Sequence, residues 1–150
     1  ANARWLSWHT QGDWHWQEAQ CWQESRHKPY AVSPAGARGI CQIMPKTWQE
    51  IMEAFRVKNG SPYSAKLNIY AGAYYQSKML RSWTVERTPI ERTRFGLASY
   101  NCGLGCVLRG QRKANGSIKF FDVQSHLPLE TRDYVIKVER YHQEFRGRIE

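Results

Sequence analysis

The residues with most scope for chemistry lie around position 24. An apolar-periodic stretch ends in Trp22-Gln23-Glu24-Ser25, and a long segment rich in proline, glycine and serine follows over residues 26–38. That segment must be loop. It leads into Gly39-Ile40-Cys41-Gln42-Ile43-Met44-Pro45. A carboxylic acid at a helix end, covered by such a loop and flanked by tryptophan, is placed to sit in an apolar pocket. Burial of that kind raises a carboxyl pKa and keeps the acid protonated near neutrality. A protonated acid can deliver a proton to a leaving oxygen, typically worth ~10²–10⁴ in rate. Taken alone, a solvated glutamate at a helix end remains the simpler reading of the same residues.

The elements that would hold this acid read as helices throughout, with no convincing strand pattern. Asp13 is suited to cap a helix running through Trp14, Ala19, Cys21 and Trp22 to about Ser25. A second helix is expected from Pro45 to about Phe55, broken by Asn59, Gly60, Ser61 and Pro62. A third spans roughly Ser64 to Trp83, with Leu67, Tyr70, Ala71, Tyr74 and Tyr75 at helical spacing. Thr88-Pro89-Ile90-Glu91 has the form of a capping box with proline at the first helical position. It starts a helix through Phe95, Leu97 and Ala98 to Asn101, stopping at Gly103. A short helix to about Lys113 follows, ended by Asn115-Gly116. The last helix begins near Pro128 and carries Tyr134, Val138, Tyr141 and Phe145 on one face.

A chain of 150 residues favours one domain, here residues 1–150, large enough to fold without staples. The net charge of +9 favours anionic polymers such as nucleic acid, anionic lipid or an acidic cell wall, although a generic solvated surface explains it too. The basic residues are scattered, so a basic tail is not expected. No apolar run approaches the ~18 residues of a bilayer span. The chain starts at Ala1 without a signal-type apolar segment. Cys21, Cys41, Cys102 and Cys106 form no C-x-x-C pair, and no histidine stands at zinc-finger spacing, so no metal site is expected. Two disulfides and four buried thiols both remain open, with a Cys102–Cys106 bridge across Gly103 and Gly105 conceivable. The tryptophans at 5, 8, 14 and 16 are expected to pack on the core, with sugar or membrane contact as the alternative.

Four segments carry a family resemblance. Residues 24–45 (ESRHKPYAVSPAGARGICQIMP) resemble the catalytic signature of the soluble lytic transglycosylase (SLT) family: Glu-Ser, then Pro, Ser, Gly-Ala-x-Gly and Gln-x-Met-Pro. Asn68-Ile69-Tyr70-Ala71-Gly72 resembles its central helix. Ala98-Ser99-Tyr100-Asn101-Cys102-Gly103 resembles its Ala-x-Tyr-Asn-x-Gly motif. Leu127 to Val135 resembles its closing Pro-x-Glu-Thr-x-x-Tyr-Val motif. The resemblance covers about residues 14 to 142. It departs at Cys41, where the family is usually apolar, and at Cys102, where a small residue is usual.

The resemblance implies a mostly α, lysozyme-like SLT domain with a substrate groove and no added binding module. It implies a single catalytic glutamate, Glu24, acting as acid and then base. Ser33 would position Glu24 or the substrate's N-acetyl group. Gln42 would hydrogen-bond sugar, and Met44 would form groove wall. Tyr100 and Asn101 would line the site, Tyr134 would orient Glu24, and Glu130 would support from behind. Blander roles stay open: core for Met44 and Tyr100, and helix ends for Asn101 and Glu130.

The implied reaction cleaves peptidoglycan between N-acetylmuramic acid and N-acetylglucosamine, forming a 1,6-anhydro ring. Most glycosidases use two carboxylates, about 5–5.5 Å apart when retaining and about 6.5–9.5 Å apart when inverting. After Glu24 the next acid is Glu50, and none lies in the covering loop, so a one-carboxylate reaction fits better. Asp122, Glu130 or Asp133 could still approach in space. The alternatives are a hydrolytic muramidase like goose-type lysozyme and a non-catalytic wall- or nucleic-acid-binding module. The expected setting is a monomer in the bacterial periplasm or cell wall, phage-encoded or exported. It would act on glycan strands without cofactor, nucleic acid or stable membrane insertion.

Overall fold

Asp13 accepts the backbone N–H of His15 through Oδ1 at 3.1 Å, and the first helix, α1 (His15–Ser25), begins there. It satisfies one of the N–H groups that every helix start leaves orphaned. The computed structural model describes residues 13–148. Trp5 and Trp8 of the expected tryptophan cluster lie outside the described residues. Among those described, Trp14 is exposed, while Trp16 stacks on His142 at 3.8 Å.

Five further α-helices follow before the last among the described residues: α2 (Pro45–Phe55), α3 (Ala65–Arg81), α4 (Pro89–Cys102), α5 (Leu104–Lys113) and α6 (Phe120–Val123). A single 3₁₀ turn (Gln124–His126) then leads to α7 (Leu129–Gly147). The described residues divide into two compact units, 13–75 with 138–148, and 76–137. Among the described residues, no helix is long and apolar enough to cross a membrane.

In the first unit, Trp48, Ile51 and Met52 of α2 are buried with Ile43 and Ala71. Pro45 occupies the first turn of α2, where its missing N–H is not needed. Trp48 Nε1 donates to the Gly60 carbonyl at 3.0 Å, so the segment that breaks the helix is tied back onto it. Trp22 of α1 meets Tyr141 and Phe145 edge-on at 6.5 and 6.1 Å. His142 Nε2 lies 2.6 Å from Asp13 Oδ2, joining the start of α1 to the end of the chain.

The second unit is built on Phe95, which is fully buried. Trp83 and Phe120 lie 4.7 and 5.6 Å from its ring. Helix α3 ends at Arg81, two residues before the expected boundary, and Trp83 turns inward. Its Nε1 donates to Ser99 Oγ at 3.0 Å. Thr88 caps α4 as expected, accepting the Glu91 N–H at 3.3 Å. The other half of the capping box is replaced: Glu91 Oε2 accepts the Phe120 N–H at 2.8 Å, a tie across 29 residues. Phe95→Ala is expected to destabilise the chain by about 3–5 kcal/mol, because this ring leaves a cavity that its neighbours fill only partly. Chemical denaturation with circular dichroism checks this, and a loss under 1 kcal/mol would contradict it.

Candidate active site

Glu24 is the penultimate residue of α1 and is half-buried. Its two flanks are fastened to the loop that follows. Ser25 is buried, and its Oγ donates to the Ile40 carbonyl at 2.6 Å. Cys21, three residues before Glu24 and so on the same helix face, is disulfide-bonded to Cys41. The helix ends because Arg26 adopts the left-handed conformation (φ 57°) and its N–H returns to the Trp22 carbonyl. His27 is left-handed as well (φ 59°), and its Nε2 lies 3.1 Å from the Glu18 carbonyl. Two consecutive non-glycine residues in this conformation cost free energy and recur at functional sites, where surrounding contacts enforce them.

The loop closes on itself through short-range bonds. Ser33 accepts the Ala37 N–H on its Oγ at 3.0 Å, and its own N–H donates to the Ala37 carbonyl at 2.9 Å. Arg38 and Ile43 exchange backbone bonds of 3.0 and 3.1 Å. Gln42 is left-handed (φ 51°), and its Nε2 donates to the carbonyls of Ala31 and Gly39 at 3.1 and 2.9 Å. That use of the amide nitrogen leaves Oε1 as the group Gln42 can offer to a ligand. Met44 is 42% exposed at the start of α2, so a core role for it is not supported.

The remaining residues of the expected site belong to the second unit. Tyr100 is half-buried near the end of α4. Asn101 Oδ1 accepts a hydrogen bond from Thr131 Oγ1 at 2.8 Å, so its side chain is set by α7 and not by a helix cap. Tyr134 is buried and Glu130 exposed, both on α7. Cys102 and Cys106 are disulfide-bonded across Gly103, which has φ 93°. All four cysteines are therefore oxidised, which resolves the choice between thiols and bridges.

The other carboxylates are engaged or distant from this loop in sequence. Glu50 is exposed on α2, and its charge, after burial, helps push the Tyr75 phenol up. Asp122 accepts from Ser117 Oγ at 2.6 Å. No group of histidine, cysteine and acidic side chains able to hold a metal ion occurs among the described residues.

Residues 10–120 match the model of the transglycosylase SLT domain. The chain belongs to that family. It is 36% identical to "membrane-bound lytic murein transglycosylase F" of Hahella chejuensis over 121 residues, 78% of this chain and 23% of that protein. With the protein of the same name from Actinobacillus pleuropneumoniae it shares 36% over 131 residues, covering 82% of this chain and 26% of that one. The 70 kDa soluble lytic transglycosylase of Escherichia coli superposes with a TM-score of 0.75 at 28% identity, over 98% of this chain and 25% of that one. An inactive Glu→Gln mutant of lytic transglycosylase Slt from Pseudomonas aeruginosa gives 0.77 at 25% identity, over 99% and 24%. The SLT domain thus spans about a quarter of the length of these relatives. Its fold is the mostly helical, lysozyme-like one that the motifs implied.

Asn68 of the SLT domain has a role that its motif did not announce. It is fully buried on α3, accepts the Cys41 N–H at 2.7 Å, and donates to the carbonyls of Arg38 and Pro62 at 3.1 and 2.9 Å. Gly39 must lack a side chain because a Cβ there would collide with Asn68 Nδ2 and the Pro62 carbonyl. Gly72 is constrained in the same way, by Cys41 at 2.8 Å. A polar residue at an apolar-periodic position of a helix was the available signal.

Proposed function

We propose that this SLT domain is a peptidoglycan lytic transglycosylase and that residues 1–150 work as one catalytic domain. Glu24 gives its proton to the glycosidic oxygen between N-acetylmuramic acid and N-acetylglucosamine, and the C1–O bond breaks. The substrate's own N-acetyl group stabilises the cation-like C1. The Glu24 carboxylate then takes the proton of the muramic C6 hydroxyl, and O6 bonds to C1. Acid and base are the same group, the product is a 1,6-anhydro ring, and the reaction so written consumes no water and requires no cofactor.

The observation that carries this reading is the position of Glu24. It is the only carboxylate between residues 19 and 49, and both of its flanks are fastened to the covering loop. The inactive Glu→Gln mutant among the structural relatives supports a chemistry that depends on one glutamate. Ser33, Gln42 and Met44 serve as substrate contacts, Gln42 through Oε1. Tyr100 and Asn101 are assigned to the sugar around the scissile bond, Tyr134 to orienting Glu24 and Glu130 to support. The partner is the glycan strand, met by a monomer in the periplasm or cell wall, and the +9 charge suits an acidic polymer.

Mass spectrometry of the muropeptides released from purified peptidoglycan tests the reaction. Anhydromuramyl ends are expected. Products heavier by one water, with a reducing muramic end, would instead assign a hydrolytic muramidase. Binding without any product would leave a wall-binding module.

A further inference from the structure

Glu24 is bracketed by two attachments that end on neighbouring residues. One turn before it, Cys21 is bonded to Cys41; one residue after it, Ser25 Oγ donates to the Ile40 carbonyl at 2.6 Å. Ile40 and Cys41 are themselves fixed. The Cys41 N–H is held by Asn68 at 2.7 Å, and Gly72 brings α3 directly against the Cys41 side chain. Gln42, next in the chain, holds the carbonyls of Ala31 and Gly39. The amide of Gln17 lies 3.3 and 3.5 Å from the two sulfurs, so the bridge is enclosed and buried. A helix end held at one point can rotate about its axis or pivot, and held at two points on one face it cannot. The second point here is a covalent bond, and a misplacement of about 1 Å at a reacting group costs on the order of 10²-fold in rate.

We propose that the Cys21–Cys41 disulfide is a positioning bond for Glu24, so that the reduced chain folds but holds its acid out of place. The inference rests on the proposed role of Glu24. Forming the bond removes one hydrogen from each thiol. The two electrons and two protons pass to a disulfide oxidant, which leaves as a dithiol. The domain would therefore gain full activity only where such oxidants operate. Cys102–Cys106 closes a sequence separation of only 4, lies in the other unit and serves as the comparison.

The test uses the full chain carrying Cys102→Ser and Cys106→Ser, so that one disulfide remains, prepared oxidised and reduced. The reduced form is expected to keep its helical circular dichroism and to lose kcat roughly ten- to a hundredfold, with KM within about twofold. Reoxidation should restore the rate. A second readout needs no turnover: the ¹³Cδ resonance of Glu24, assigned with Glu24→Gln, is expected to move and its titration midpoint to change on reduction. Reduced, folded protein with unchanged kcat and an unmoved resonance would overturn the proposal. So would a loss confined to KM, or unfolding on reduction, which would make the bond a staple for the whole unit. If neither form yields anhydro product while the Glu24 resonance still responds, the proposed reaction has failed and the positioning bond stands.

Discussion

Glu24→Gln is expected to lower turnover of peptidoglycan by roughly 10²–10⁴-fold, the range over which a positioned acid or base contributes. The upper part of the range is the better expectation, because the same carboxyl acts twice. Glutamine has nearly the same shape and keeps hydrogen-bonding capacity, but it neither releases a proton to the glycosidic oxygen nor accepts one from the C6 hydroxyl. The fold should be little affected. Glu24 is half-buried at the end of α1, and the Cys21–Cys41 bond and the Ser25 hydrogen bond to Ile40 stay in place in the variant. Thermal melting of the variant should therefore lie within a few degrees of the parent while muropeptide release falls away. Activity within tenfold of the parent would move the acid to another residue and reopen the two-carboxylate alternatives at Asp122, Glu130 and Asp133. A large drop in melting temperature would instead show that the carboxylate was structural.

The helices that could be read from sequence are those whose ends are written in local chemistry. Pro45 at the start of α2, Thr88-Pro89 at the start of α4 and Asn115-Gly116 after α5 act within a turn of their own position, and each boundary lies within a residue or two of expectation. The long loop after Glu24 was legible for the same reason. The short α6 and the 3₁₀ turn after it were not, because four and three residues are too few to show a period. Glu91 shows how tertiary structure overrides a local rule. Its position fits a reciprocal cap, but a buried Phe120 N–H needs an acceptor, and the carboxylate goes there. The Cys102–Cys106 bridge was conceivable from its short spacing, but the Cys21–Cys41 pairing was out of reach. Cys21 and Cys41 are 20 residues apart, and only the folded loop shows that their side chains meet. At the site, sequence singled out Glu24, Ser33 and Gln42. That the Gln42 amide nitrogen is turned into the loop depends on where the Ala31 and Gly39 carbonyls point, which no spacing reveals.

Asn68→Ala is expected to destabilise the chain by roughly 3–5 kcal/mol. The substitution strands the buried Cys41 N–H and the part-buried Pro62 carbonyl, and it removes one of the two hydrogen bonds that the Arg38 carbonyl accepts, the other coming from Ile43. Each stranded group costs about 1–3 kcal/mol when left unsatisfied. That is a large part of the 5–15 kcal/mol by which a domain is ordinarily stable, and the melting midpoint should fall on the order of 10 °C. Asn68→Asp separates the donor from the acceptor role. It keeps an oxygen for Cys41 but turns a carboxylate toward two carbonyls, so it should be worse than alanine at neutral pH. The introduced carboxyl would have a raised folded-state pKa, and its penalty should shrink as the pH falls through that value, where a proton supplies one donor again. Denaturant unfolding at pH 7 and pH 4.5 reads both effects. A cost for Asn68→Ala below 1 kcal/mol would mean that the loop is held by its own bonds and the Ser25 and Cys21 ties alone. Otherwise the Asn68 side chain that stabilises the unit also sets the position of Gln42 and the covering loop, and activity should fall before the protein unfolds.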